Sequence, residues 1–232
     1  RLSGVVSFRL GGNRVRLNVS AAPTQGHGDI DLMVHGFDLA AIPQLAGRTD
    51  RFDPSKLFMD GTLTGRLSVP LGSGSVPSFS GDFTLSESDL GYRGWPLELT
   101  DLSCHIGLTR DGISIRDLKT ELGQGRLTIT TARVRLDGGK LESVSLRGST
   151  RNLDLESLTP KNLPWSGVAR GDWGRLYSGT MDADFNMQWA PDRDPTYQAS
   201  FRMRDGALRV ERADRRFEDV NVEATVDSSG LI

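Results

Sequence analysis

The sequence predicts an all-β fold: an elongated, twisted, curled antiparallel β-sheet made of repeating units with short helical connectors between them. Three observations predict it. Apolar residues take alternate positions along most of the chain, the period of a strand with one buried face. Asp-Gly and Gly-Gly pairs stand between these rows, where hairpin turns belong. A block also recurs 118 positions on. Gly61 to Ile113 aligns without a gap on Gly179 to Leu231, so Leu63 meets Met181, Leu67 meets Phe185, Phe83 meets Phe201, Leu85 meets Met203 and Leu102 meets Val220. Units that repeat complete each other's core by stacking side by side.

Taken in order, Val6, Phe8 and Leu10 alternate, Gly11-Gly12-Asn13 turns, and Val15, Leu17 and Val19 alternate again. Ile30, Leu32 and Val34 make a third row. Ala40 to Leu57 is marked by Pro and Gly and reads as a connector. The next rows are Leu63-Leu67-Val69, Phe83-Leu85, Leu90-Tyr92 and Leu102-Cys104-Ile106-Leu108, with Pro70 to Pro77 as a surface loop. Asp111-Gly112 is a hairpin signal leading to Ile113-Ile115, then Leu127-Ile129. Between Ile129 and Val134 the apolar parity changes, which calls for a bulge. Val134-Leu136, Asp137-Gly138-Gly139 and Val144-Leu146 form another row, turn and row. Glu156 to Leu176 reads as a second connector, with helical turns at Ser157–Pro160 and Gly171–Leu176; Gln188 to Pro195 reads as a loop.

Two shorter matches extend the repeat. Arg14-Val15-Arg16-Leu17 recurs as Arg133-Val134-Arg135-Leu136, and Phe37-Asp38-Leu39 resembles Leu153-Asp154-Leu155. Residues 1–60 are therefore expected to be the second half of a unit, 61–178 a complete unit, and 179–232 the first half of the next. The expectation is one continuous extended sheet, part of a longer repeat protein.

Composition narrows the function. An apolar fraction of 37% with 27 glycines suits a thin sheet with one wet face. A net charge of −2 with mixed signs does not favour nucleic acid. One cysteine, Cys104, excludes an intramolecular disulfide; it aligns with Val222 and reads as a small core residue. No apolar run reaches the length that spans a bilayer. Cys104 and His105 are adjacent, so a strand turns them to opposite faces; His27 and His35 add no metal spacing. Asp182, Asp184, Asp192 and Asp194 read as a solvated face, the last two in a loop. Asp101 and Asp219 read as turn residues. Trp165, Trp173 and Trp189 read as aromatic pins between connector and sheet. Phosphate-loop and catalytic motifs are missing from the sequence, so no enzyme, cofactor or metal is expected.

The order Gly81-Asp82-Phe83-x-Leu85, Leu90-x-Tyr92, Leu99-x-Asp101-Leu102, Asp111-Gly112-Ile113-x-Ile115 and Gly123-x-Gly125-x-Leu127-x-Ile129 resembles the units of AsmA-like proteins, the TamB- and YhdP-like repeating β-groove proteins of the bacterial cell envelope. The resemblance is clearest over 61–155 and 179–231. It implies a taco-shaped sheet (a β-taco) anchored in the inner membrane outside this segment and reaching across the periplasm. Its apolar face would carry phospholipid or another acyl lipid between inner and outer membranes. An outer-membrane barrel partner and a role in outer membrane biogenesis are also implied.

The lipid would lie against Leu63, Leu67, Phe83, Leu85, Leu102, Cys104, Ile106, Leu108, Ile113, Ile115, Leu127, Ile129, Phe185, Phe201 and Met203. Each CH₂ removed from water contributes roughly 0.8 kcal/mol. Arg209, Arg212 and Arg215 are candidate headgroup contacts; charges that block edge pairing are the plainer reading. Two other classes compete. One is a structural or assembly module that pairs with client strands; the other is a surface β-solenoid adhesin with a sealed core.

Overall fold

A computed structural model describes residues 2–10, 12–22, 27–41, 54–72, 78–93, 98–155, 175–210, 215–228 and 230–231. They form an open, curled antiparallel sheet of thirteen strands in strict sequence order. The strands are β1 (Leu2–Leu10), β2 (Asn13–Ala22), β3 (His27–Asp38), β4 (Leu57–Gly72), β5 (Ser80–Tyr92), β6 (Glu98–Thr109), β7 (Gly112–Leu122), β8 (Gly125–Asp137), β9 (Lys140–Asp154), β10 (Arg175–Ala190), β11 (Arg193–Val210), β12 (Arg215–Asp227) and the two-residue β13 (Gly230–Leu231). Single 3-10 turns at Leu39–Ala41 and Pro54–Lys56 flank the first connector. Among the described residues, the dominant contacts join strands consecutive in the chain.

Turn chemistry fits the expected hairpins. Thr109 pairs with Gly112 and Asp137 with Lys140. Gly138 and Gly139 have φ of 56° and 83°, the two left-handed residues of a type I′ turn. The expected bulge in β8 is present, as a register shift between Ile129 and Thr131.

That bulge belongs to a larger feature. Left-handed residues recur from strand to strand: Gly36 in β3, Gly61 in β4, Glu87 in β5, Asp101 in β6, Asp117 in β7, Asn152 in β9, Gly179 in β10, Asp205 in β11 and Asp219 in β12. Most coincide with one-residue register shifts. All but Asp117, which stands at the middle of β7 opposite the β8 bulge, lie toward the strand ends that carry the connectors, so they draw a crease across the sheet. Four of the six non-Gly residues in this conformation are Asp and one is Asn, the side chains that tolerate it best. Gly61/Gly179, Glu87/Asp205 and Asp101/Asp219 are each 118 apart.

A bulge removes an N–H from the ladder and leaves that donor to find another acceptor. Side chains of neighbouring strands take these donors. Gly36 N donates to Thr64 Oγ1 at 3.0 Å and Asn152 N to Asp182 Oδ1 at 2.8 Å. Asp101 N donates to Asp89 Oδ1 at 3.1 Å and Asp205 N to Asn221 Oδ1 at 3.3 Å. Thr64 and Asp182 are repeat equivalents, so the device recurs with the unit.

Several expectations are corrected. Asp101 and Asp219 sit inside strands, not turns; the crease demands their left-handed backbone. The Arg14–Leu17 match to Arg133–Leu136 is coincidental. Val15 faces Val34 next to the crease, whereas Val134 faces Val144 near the opposite turn; register pairs Leu127, not Val134, with the neighbour of the Asn152 bulge. The loop expected from Gln188 to Pro195 shrinks to Pro191-Asp192, and Asp194 lies in β11. Pro70 to Gly72 belong to β4. Arg175 and Leu176 open β10 instead of closing a helical turn. Trp189 sits at the far end of β10, roughly 45 Å from its start at about 3.3 Å per residue, so it does not pin the connector. Trp165, Trp173 and Ser157–Pro160 lie outside the described residues.

Asp101 gives a direct test of the crease. Asp101→Gly keeps the left-handed backbone and is expected to be close to neutral in urea unfolding. Asp101→Val, with a branched Cβ at φ 51°, is expected to lower stability by roughly 1–2 kcal/mol.

Candidate ligand-binding face

One face of the sheet is apolar from edge to near edge. Following direct cross-strand partners gives the row Phe8, Val15, Val34, Gly65, Phe83, Ile106, Ile115, Ala132, Leu146, Met187 and Tyr197. At about 4.8 Å per strand this row runs roughly 48 Å. A parallel row passes through Leu17, Leu32, Leu67, Gly81, Leu108, Ile113, Val134 and Val144. The crease keeps the row intact: in β5 the inward positions move from Phe83 and Leu85 to Ser88 and Leu90, across Glu87.

The residues expected to line a groove all share this face, at different depths. Phe83, Leu85, Leu102, Cys104, Ile129 and Met203 are buried. Leu63, Leu67, Ile106, Leu108, Ile115, Leu127, Phe185 and Phe201 are half-buried, and Ile113 is 42% exposed. Glycines explain why the floor is low. A Cβ at Gly65 would collide with the Phe83 backbone and ring, and one at Gly81 would lie 2.8 Å from Phe83 Cε2. The Phe83 ring thus lies across two glycines. Phe185 does the same at Gly148, 2.9 Å from a notional Cβ. Aromatic rings laid over glycines seal the backbone without filling the space above it.

Sequence reasoning missed the connector's part. Leu39 is 2% exposed and packs with Leu85, Leu102 and Cys104; Ala41 is 4% exposed and packs with Val15, Val34, Phe37 and Phe83. The 3-10 turn after β3 therefore covers the apolar face at the crease. It also missed buried hydroxyls. Thr120 Oγ1 donates to Thr100 O at 2.8 Å and Ser88 Oγ to Ser86 O at 2.9 Å, while Thr150 Oγ1 is buried without a partner.

The opposite face is polar. Arg66 forks onto Asp31, with Nε–Oδ1 at 3.0 Å and Nη2–Oδ2 at 2.6 Å, and Ser68 Oγ donates to Oδ1 at 2.6 Å. These bonds, Arg66 first, hold the Asp31 carboxyl below its usual range. Asp182 pairs with Arg204 and Asp184 with Arg151. His105 lies exposed on this face, 3.2 Å from Thr84 Oγ1, while Cys104 is buried on the other, where burial pushes its thiol pKa up. A polar depression of about 450 Å³ is lined by Arg147, Ser149, Asp184, Asn186, Gln198 and Thr225. Of the candidate headgroup contacts, Arg215 is exposed at the start of β12; Arg209 is in β11, and Arg212 lies outside the described residues. Among the described residues no three His, Cys, Asp or Glu side chains gather as a metal site, and no helix is long and apolar enough to cross a membrane.

No family model, curated protein or solved structure matches the chain.

Two predictions follow from the side-chain environment. Thr150→Val replaces an unpartnered hydroxyl by a methyl and is expected to raise stability by about 1 kcal/mol in denaturant unfolding. The Asp31 contribution is full above the ordinary carboxyl pKa of 3.8 and is lost as pH falls through the lower folded value. Asp31→Asn should therefore lower the melting temperature at neutral pH and flatten its decline in acid.

Proposed function

We propose that this chain is a segment of an AsmA-like, bridge-like lipid carrier of a bacterial envelope, in which phospholipid acyl chains travel along the apolar face across the periplasm. The observation that carries this reading is the unbroken apolar row through eleven strands, flanked by half-buried aliphatic side chains. Phe83, Leu85, Leu102 and Cys104 are the floor in this reading. Leu63, Leu67, Ile106, Leu108, Ile113 and Ile115 are the surface an acyl chain touches.

The physics favours sliding. Similar aliphatic rungs recur strand after strand, so a chain moved by one rung loses and regains nearly the same contact. A charged headgroup stays in water because burying it is costly. The parent's anchor, an outer-membrane barrel partner and the periplasmic location belong to this proposal. The chain's own part is binding and guiding, with no bond made or broken.

Native mass spectrometry of the chain purified from a diderm host should find bound phospholipid, and a photoactivatable fatty acid should crosslink to Ile106 and Ile115. Ile106→Glu and Leu108→Glu together should remove most of the crosslink, whereas Thr128→Glu in β8 should not. Lipid-free protein, or a crosslink unchanged by the double substitution, would overturn the reading.

A further inference from the structure

The two long margins of the apolar face differ. From β2 to β11 the large apolar side chains exposed on this face are Leu71, Phe79, Ile113 and Tyr197, at 38–43%. All four stand toward the strand ends away from the connectors, on the margin formed by the β4–β5, β6–β7, β8–β9 and β10–β11 turns. Toward the connectors the same face is buried at Leu85, Leu102, Cys104, Leu153 and Met203, and Leu39 packs over it. An apolar channel built this way opens along one side, the turn margin.

That margin carries charge in a regular arrangement. The β6–β7 hairpin holds Arg110 and Asp111, the β8–β9 hairpin Asp137 and Lys140, and the β10–β11 hairpin Asp192 and Arg193, one base and one acid each. All six are exposed, and among the described residues none has an ion pair or a side-chain hydrogen bond. Asp194, next along β11, has the parity of the polar face. Turns on one margin recur every second strand, about 10 Å apart at about 4.8 Å per strand. Between Ser80 and the left-handed Glu87 in β5, and between Thr109 and Asp101 in β6, the strands run roughly 23 and 26 Å from margin to crease. An acyl chain needs about 15 Å, half of a bilayer's hydrocarbon core.

We propose that each of these hairpins seats one zwitterionic phospholipid headgroup, phosphate on the base and ammonium on the acid, with the acyl chains laid along the strands toward the crease. The inference rests on the lipid-carrier reading and adds the direction in which the lipid lies. Exposed side chains on the rim, Ile113 and Tyr197 among them, meet the methylenes nearest the headgroup. The packed floor near Leu85 and Leu102 meets the tail ends. Moving by one hairpin exchanges one base–acid pair for another of the same kind, so head and tail regain their contacts together. A headgroup of single sign faces one attraction and one repulsion at every hairpin. Arg209 and Arg215, the cations that the sequence marks, stand at the connector ends of β11 and β12 and take no part.

Two photoactivatable phosphatidylethanolamines test this on the purified chain, one labelled on the headgroup and one at the acyl terminus. The headgroup label should crosslink to residues 110–113 and 193–197, and the terminal label to Leu85 and Leu102. Arg110→Gln, Lys140→Gln and Arg193→Gln together should weaken phosphatidylethanolamine binding roughly threefold, the scale of an exposed ion pair, and leave diacylglycerol binding unchanged. Arg215→Gln should change neither. Asp111→Asn, Asp137→Asn and Asp192→Asn together keep the turns, which Asn suits as well as Asp, and should abolish the preference for phosphatidylethanolamine over phosphatidic acid. Crosslinks at the reversed ends, or base variants that bind phosphatidylethanolamine as the native chain does, would overturn this inference and leave the carrier reading standing. No crosslink from either label would overturn both.

Discussion

The structure depends on a conflict between two periods. A strand turns alternate residues inward, yet nearly every strand here must keep one apolar face while crossing a bend. One extra left-handed residue resolves it by restoring parity beyond the bend. Because neighbouring strands need the correction at matching heights, the bulges align into a crease. Each bulge then exposes an N–H, and Thr64, Asp89, Asp182 and Asn221 supply acceptors from the adjacent strand. Backbone conformation, residue choice and cross-strand bonding are consequences of that single requirement.

The same requirement shapes the apolar face. Large side chains at every inward position would fill it. Glycines at Gly65, Gly81 and Gly148 instead let Phe83 and Phe185 lie flat. The floor is sealed while the flanking aliphatic residues keep part of their surface exposed. Leu39 and Ala41 close the face locally where the connector folds over the crease. The face is thus graded, packed along the crease on the connector side and more accessible toward the opposite turns, where Ile113 is exposed.

Much of this was legible in the sequence because period-2 alternation and turn glycines are local signals. The β6–β7 hairpin at Asp111-Gly112 and the β8 bulge between Ile129 and Val134 could be placed from a few residues each. The crease could not, since Asp101 looks like any acid before an apolar row. Its signal was present, in Glu87 and Asp205 recurring where parity changes, but reading it needs register between strands. Arg14–Leu17 misled for the converse reason: four alternating residues recur by chance wherever strands share a pattern. The reach of the connector over Phe83 depends on a contact between β3's end and strands far along the sheet, which alternation does not encode.

The strict sequence order of the ladder has one more consequence. Every rung joins segments that are neighbours in the chain, so loop closure costs little at each step. Assembly can begin at any hairpin and proceed by accretion, each new strand docking on the last as it is synthesised. Lengthening such a molecule requires only another copy of the segment, with no existing pairing undone.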